Sequence, residues 1–495
     1  MVKLRHCLLV LGLLLASPWA SAQRAPTALP DTVLAALREA SIPPEALSVV
    51  LARTHASQPV LISHQAERAM QPASVIKLVT TFAALDLLGP GFTWRTPVWL
   101  DGAIEGETLK GNLVIQGQGD PALVIERLWL LLRRVQGLGV RRIEGDVVVD
   151  SSAFATAAKD PGAFDGEPLR PYNAAPDALL INFRAITLTF TPDAKAGVAR
   201  VQMNPPLWGV RVPSTVPLAV GSASICSDYR AGLRADFSDP SRISLNGAFD
   251  AACGEKTWPV AYPQPETYNA RALEGLWRSM GGDLSGKVRS GVAPQQPPSF
   301  VVDSPTLGEV VRDINKFSNN VMAQQLFLTL GRLPLEAQGK AGQKRPAAKP
   351  AGDWSAWPSA TFERSRERVN NWWKARLPGV NAPYVDNGSG LSRQTQISAQ
   401  ALADLLVKAY ASPYMPELMA SLPVAGVDGT LRRSKTATAS AHLKTGSLRG
   451  VVSLAGYVHT EKGENLVLVA IVNHERAQAA RGALEALVQW ATRRP

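Results

Sequence analysis

Ser74-Val75-Ile76-Lys77-Leu78-Val79-Thr80-Thr81-Phe82-Ala83-Ala84-Leu85-Asp86-Leu87-Leu88 is the stretch on which the reading of this chain turns. Pro72 stops the segment before it, Gly89-Pro90 closes it, and Ser74 stands where a helix would begin. Almost every face of that helix is apolar, which predicts that it lies deep inside a domain. Ser74 and Lys77 are neighbours at i and i+3 on one face. An amine buried among apolar residues loses charge stabilisation, its pKa falls, and it can take the proton of a Ser hydroxyl. The helix N-terminus adds backbone N–H groups suited to a developing oxyanion. Alone, the pair also fits a Ser N-cap with a Lys one turn later, so it needs company to carry chemistry.

The company lies far downstream. Lys444-Thr445-Gly446 precedes an expected antiparallel hairpin, Val451 to Val458 and Asn465 to Val472, which turns at Glu461 to Glu464. That places the tripeptide on an edge strand. Lys and Thr there present a cation and a hydroxyl to a carboxylate, and Gly lets a substrate backbone approach. A Ser-x-Asn occurs twice, at Ser244-Leu245-Asn246 and Ser318-Asn319-Asn320. Ser244 falls in a turn-rich block with no helix to hold it, whereas Ser318 is expected to open a helix running to Leu330, so Ser318 and Asn320 are the choice. Each piece has a plainer structural reading, as a cap or a strand end; their order along one chain does not.

The rest of the sequence sets the frame. With 495 residues, 46% of them hydrophobic, the chain has room for roughly three domains. The 19% of charged residues and the short low-complexity stretches exclude wholesale disorder. Lys3, Arg5 and His6 precede the apolar run Cys7 to Leu15, and Ala20-Ser21-Ala22 offers a cleavage site, the layout of a secretory signal peptide over residues 1–22. An uncleaved anchor or buried first helix is the alternative. Export into an oxidising compartment leaves Cys226 and Cys253 as either a disulfide or two buried thiols. The net charge of +11, or +9 without Lys3 and Arg5, fits an anionic wall polymer or membrane surface better than nucleic acid in an exported protein. His6, His55, His64, His442, His459 and His474 are scattered, with no metal-ligand spacing, so no metal or other cofactor is expected.

Between about 92 and 300, Gly-, Pro- and Asp-rich turns punctuate strand-like runs (Gly111 to Gln116, Gly145 to Val149, Ile186 to Phe190), with a helix expected over Ala122 to Gly137. Gly117-Gln118-Gly119-Asp120-Pro121 reads as a turn rather than a nucleotide loop. Residues 331–358, rich in Pro, Gly, Ala and Lys, read as a flexible surface insertion. A helix from about Gln478 to Thr492 should pack on the terminal hairpin.

Ser-x-x-Lys, Ser-x-Asn and Lys-Thr-Gly in this order are the motif set of the active-site serine penicillin-recognising enzymes. The chain resembles the class C penicillin-binding proteins, the D-alanyl-D-alanine carboxypeptidase/endopeptidases of the bacterial periplasm. Gly117 to Pro121, Gly145 to Asp150, Asp386-Asn387-Gly388-Ser389-Gly390-Leu391-Ser392-Arg393 and Gly426-Val427-Asp428-Gly429-Thr430-Leu431 extend the resemblance over nearly the whole chain, residues 331–358 excepted. It implies an α/β fold with a penicillin-binding transpeptidase-like (serine β-lactamase-like) domain, an antiparallel sheet flanked by helices. That domain would be built from residues 23–92 and 301–495 around nested small domains at 93–300. By resemblance Ser74 is the acylated nucleophile, Lys77 its base, Ser318 a proton relay to the leaving amine, and Asn320 a holder of the substrate's acyl-side amide. Lys444 and Thr445 bind the terminal carboxylate, with Gly446 beside them, and the N–H groups of Ser74 and Ser447 form the oxyanion hole. The implied partners are peptidoglycan stem peptides and β-lactam antibiotics, which should acylate Ser74 and leave slowly; no nucleic acid is implied, and no transmembrane anchor remains after cleavage near Ala22. The family also implies an acidic residue facing a diaminopimelate amine, for which Asp165 and Glu167 match only loosely. A serine β-lactamase and a non-catalytic penicillin- or wall-binding scaffold are the rival readings. The former needs a deacylating base that no residue here supplies; the latter has no reason to keep both Lys77 and Lys444.

Overall fold

The computed structural model describes residues 28–55, 60–157, 160–219, 226–334 and 357–493. The expected signal peptide and most of the 331–358 insertion lie outside the described residues. The two ends of the chain build one antiparallel sheet, in the order Ala441–Leu448, Val451–His459, Asn465–Asn473, Leu47–Arg53, Ile62–His64. Its central strand is buried throughout its middle, and alternate residues serve different cores. Val467, Val469 and Ile471 face the core that holds the helix Lys77–Leu88, while Leu466, Leu468, Ala470 and Val472 face the helices Asp31–Glu39 and Arg481–Thr492. A sheet covered on both faces explains why these strands read as unbroken apolar runs. The terminal helix packs on the hairpin as expected, beginning at Arg481 after a 3-10 turn, Ala477–Ala480.

The helix Lys77–Leu88 buries every residue except Leu87. It is entered through a 3-10 turn, Ala73–Ile76, so Ser74 sits one turn ahead of the α-helix proper. The helical stretch after Thr306 is broken. Leu307–Phe317 carries a capping box of Thr306 and Glu309. It ends at Ser318, which adopts the left-handed conformation with φ 57°. A second helix, Asn320–Arg332, starts with the Asn319 side chain accepting from the Met322 N–H. The expectation that Ser318 opens a helix is therefore corrected: Ser318 closes one, and Asn319 caps the next.

Residues between Arg95 and Asp303 form two larger sheets and a two-stranded ribbon, Ala235–Asp239 with Arg242–Leu245. In the first, Arg95–Glu105 and Thr108–Gln116 pair with each other, with Val147–Asp150 joined to the latter; the returning Val288–Ser290 and Phe300–Asp303 also belong to it. The second, Ala185–Asp193 with Val198–Asn204, Thr215–Pro217 and Lys256–Ala261, lies between them in sequence, and both share one hydrophobic core. The expected helix at 122–137 starts only at Ile125, because the Asp120 carboxylate accepts from the Ala122 N–H and holds a turn there. Cys226 and Cys253 are joined in a disulfide, with Cα atoms 5.3 Å apart.

The helix Asn320–Arg332 ties this part to the rest. Gln325 exchanges two hydrogen bonds with the Asp177 backbone, at 3.0 and 2.8 Å. Farther along, the Arg332 guanidinium donates to the Gln118 side chain at 2.5 Å.

Candidate active site

Ser74 is half-buried at the mouth of a cleft between the helical layer and the edge strand Ala441–Leu448. The residue before it, Ala73, has φ 49°, a conformation L-residues avoid and one kept only where the surroundings enforce it. Here they do: the Ala73 carbonyl lies 2.1 Å from where a Cβ on Gly390 would stand. Only glycine fits at 390, which has φ 80° itself.

Lys77 is fully buried, and its Nζ has three neighbours: Ser74 Oγ at 2.9 Å, Asn320 Oδ1 at 2.7 Å and the Ser389 carbonyl at 2.5 Å. Burial, and secondarily the charge of Lys444, hold its pKa well below the ordinary lysine value. A neutral amine has two N–H donors and one lone pair. Two carbonyl oxygens occupy the donors, which leaves the lone pair for the Ser74 hydroxyl. Lys444 is also fully buried, and burial pushes its pKa down to about 7. Its Nζ donates to Ser318 Oγ at 2.8 Å and to the Thr445 carbonyl at 2.7 Å. The left-handed turn at Ser318 thus aims that hydroxyl into the cleft from one wall while Lys444 reaches it from the other.

Asn320 uses both ends of its amide, Oδ1 on Lys77 and Nδ2 toward the Tyr172 carbonyl at 3.4 Å. Thr445 Oγ1 shares a 2.8 Å hydrogen bond with Thr430 Oγ1. Gly446 has a different reason from the one expected. A Cβ there would stand 2.3 Å from Ser453 Oγ, 2.8 Å from the Pro72 carbonyl and 2.9 Å from the Ser74 nitrogen. The backbone that approaches it is the chain's own, at the nucleophile. Ser447 follows on the same strand, exposed, and pairs in register with Val452. Seven of the eight residues singled out in sequence are thus brought together, while the exposed Ser447 turns its hydroxyl to the Gln478 side chain, at 3.4 and 3.2 Å. Ser244 does not join them; it sits on Arg242–Leu245, in the two-stranded ribbon of the inserted part.

Three contributors escape a reading of the sequence. Ser389 acts through its backbone carbonyl, which no side-chain motif announces. Asn387 shapes that loop: its Oδ1 accepts from the Ser389 N–H and hydroxyl, and its Nδ2 donates to the Leu391 carbonyl. The Asn-Gly-Ser-Gly run is the available signal for such a side-chain-braced turn. Lys316, nearly buried, pairs with Asp428 at 2.5 Å and joins the Ser318 turn to the loop carrying Thr430. Asp165 accepts from Tyr172 Oη and Asn173 Nδ2, each at 2.8 Å, and so meets the site through the Tyr172 segment. Glu167 pairs with the exposed Arg170. Among the described residues no group of three or more His, Cys, Asp or Glu could hold a metal ion.

The whole architecture has a solved counterpart. Penicillin-binding protein 4 from Haemophilus influenzae superposes with a TM-score of 0.69 at 23% identity, covering 92% of this chain and 99% of that one. The transpeptidase-like fold is thereby shown. Sequence relatives agree: the D-alanyl-D-alanine carboxypeptidase DacB of Haemophilus influenzae is 25% identical over 84% of this chain and 82% of its own length. The D-alanyl-D-alanine carboxypeptidase of Actinomadura sp. (strain R39) is 28% identical over 90% and 81%. Residues 31–344 and 361–494 match the D-Ala-D-Ala carboxypeptidase 3 (S13) family, and the chain belongs to that family.

Proposed function

We propose that the chain is a serine DD-peptidase in which Ser74 attacks the penultimate D-Ala carbonyl of a peptidoglycan stem peptide. Its hydroxyl proton passes to the Lys77 amine as the C–O bond forms. Ser318 delivers a proton to the leaving nitrogen as the C–N bond breaks, replenished from Lys444; water then attacks the ester and gives up a proton that returns through Ser318 to Lys444, while Lys77 returns its proton to Ser74 Oγ as the C–O bond breaks. The N–H groups of Ser74 and Ser447 receive the oxyanion. Protonated Lys444 and the Thr445 hydroxyl take the substrate's free carboxylate. The upstream peptide would run into the cavity of about 550 Å³ lined by Phe164, Asn173, Arg366, Asn387 and Leu391.

The observation that carries this reading is the environment of Lys77: buried, depressed in basicity, its two donors occupied by carbonyls and its lone pair left for Ser74. β-Lactams present the same carbonyl and carboxylate and would acylate Ser74. Among the described residues no helix is long and apolar enough to cross a membrane. The leader-like residues 1–22 support action in the periplasm.

Intact-protein mass after adding benzylpenicillin tests the proposal. One persistent penicilloyl adduct on the wild type and none on Ser74→Ala is the expected result. Consumption of penicillin without an adduct would point to a β-lactamase instead, and intact penicillin without an adduct to a binding role.

A further inference from the structure

Thr430 has no part in the acylation chemistry, yet its hydroxyl touches the group that should hold the substrate's carboxylate. Thr430 Oγ1 lies 2.8 Å from Thr445 Oγ1, and either oxygen can be the donor. A Thr hydroxyl has one proton to donate and lone pairs to accept with, whereas a carboxylate only accepts. If Thr445 gives its proton to Thr430, none remains for the carboxylate. If Thr430 donates instead, Thr445 accepts at a lone pair and keeps its own proton for the substrate.

Thr430 is exposed, so water would satisfy its hydroxyl, but the chain holds it against Thr445 from several sides. It stands in a 3-10 turn, Gly429–Leu431. The base of that loop is bonded to the strand that carries Thr445: the Ala425 N–H donates to the Ala441 carbonyl and the Leu443 N–H to the Pro423 carbonyl, both at 2.9 Å. Asp428 pairs with the nearly buried Lys316 at 2.5 Å and accepts from the Val424 N–H at 2.8 Å. A Cβ on Gly429, which has φ 56°, would stand 2.7 Å from the Lys316 carbonyl, so the turn is pressed against the helix Leu307–Phe317. The Gly426 N–H closes the loop on the Leu431 carbonyl at 3.0 Å. The contact between the two hydroxyls therefore joins two braced backbones.

We propose that Thr430 is a positioning residue of the carboxylate clamp, its hydroxyl donating to Thr445 and so turning the Thr445 proton toward the substrate's terminal carboxylate. This rests on the DD-peptidase reading above and adds a residue to its clamp. Before substrate binds, the pair can point either way; an arriving carboxylate fixes the direction of both hydroxyls, and each bond polarises the next.

A double-mutant cycle tests it, with kcat and KM measured on a pentapeptide ending in D-Ala-D-Ala for wild type, Thr430→Val, Thr430→Ser, Thr445→Val and Thr430→Val/Thr445→Val. Val keeps the branched shape and removes the hydroxyl. Thr430→Val should lower kcat/KM about 10-fold, mainly through KM, and Thr430→Ser should return it to within about twofold of wild type. Because Thr430 acts through Thr445, adding Thr430→Val to Thr445→Val should change kcat/KM by less than about twofold. Losses that multiply in the double variant, a Ser variant no better than the Val variant, or a Thr430→Val enzyme as active as wild type would each overturn the proposal. Benzylpenicillin labelling separates the two levels. A labelled wild type with multiplying losses defeats only the role of Thr430, while an unlabelled wild type defeats the site reading and this role with it.

Discussion

Replacing Lys444 by Met removes a buried cation and keeps an unbranched chain of similar length. Burial takes this lysine from the ordinary value of 10.5 to about 7. Each tenfold change in acidity corresponds to about 1.4 kcal/mol between the two protonation states. At pH 6 the amine is charged in both folded and unfolded chain, and the folded state bears the whole cost, about 5 kcal/mol. At pH 9 the folded chain has shed the proton while the unfolded chain still holds it, and the cost falls to about 2 kcal/mol. The wild type therefore gains stability from this residue as pH rises from 7 toward the ordinary lysine range. Lys444→Met should exceed the wild type by about 3 kcal/mol more at pH 6 than at pH 9. Hydrogen bonds lost at Ser318 and the Thr445 carbonyl lower the variant by a constant amount and drop out of that difference. The relief felt by Lys77 acts in the same direction. Urea unfolding of both proteins at the two pH values measures it, and a stability difference independent of pH would refute the reasoning. The same variant should lose about 10²-fold in kcat/KM, having no cation for the substrate carboxylate.

The pH profile follows from the same two amines. Acylation needs Lys77 neutral and Lys444 charged, so kcat/KM should fall as pH rises beyond about 7, the alkaline limb belonging to Lys444 in the free enzyme. A bound carboxylate stabilises the ammonium, so the corresponding limb of kcat should lie at higher pH; coincident limbs in steady-state profiles would contradict the clamp. Gly446→Ala should slow penicillin acylation by about 10²-fold, because its Cβ must displace Ser453 Oγ and the Ser74 backbone. Stopped-flow acylation checks this, and a rate within twofold of wild type would show that the contact is not needed.

How much of this is legible in sequence depends on what kind of atom does the work. Ser74, Lys77, Lys444 and Thr445 act through side chains whose types are uncommon in apolar runs, and they stand out as such. Ser318 is recognisable by its chemistry, yet its pattern assigns it to the wrong element. Helical residues run on both sides of it, and periodicity does not register one left-handed residue between two helices. The Ser389 carbonyl is invisible to any reading of side chains. Gly446 is conspicuous in its tripeptide for the wrong reason, since the neighbour that requires glycine comes from Pro72 and Ser74, hundreds of positions earlier. Close approach between distant segments is a property of the fold, and a tripeptide cannot state it.

The helix Asn320–Arg332 holds Lys77 at one end, through Asn320, and Gln118 at the other, through Arg332, with Gln325 clasping Asp177 between them. Residues 93–300 are consequently not detachable from the part of the chain that carries Lys77. Excising residues 93–300 would strip this helix of Gln118 and Asp177 and remove the Tyr172 carbonyl facing Asn320. A shortened or chimaeric enzyme would have to redesign the helix together with whatever replaces the insertion, treating the two as a single heritable unit.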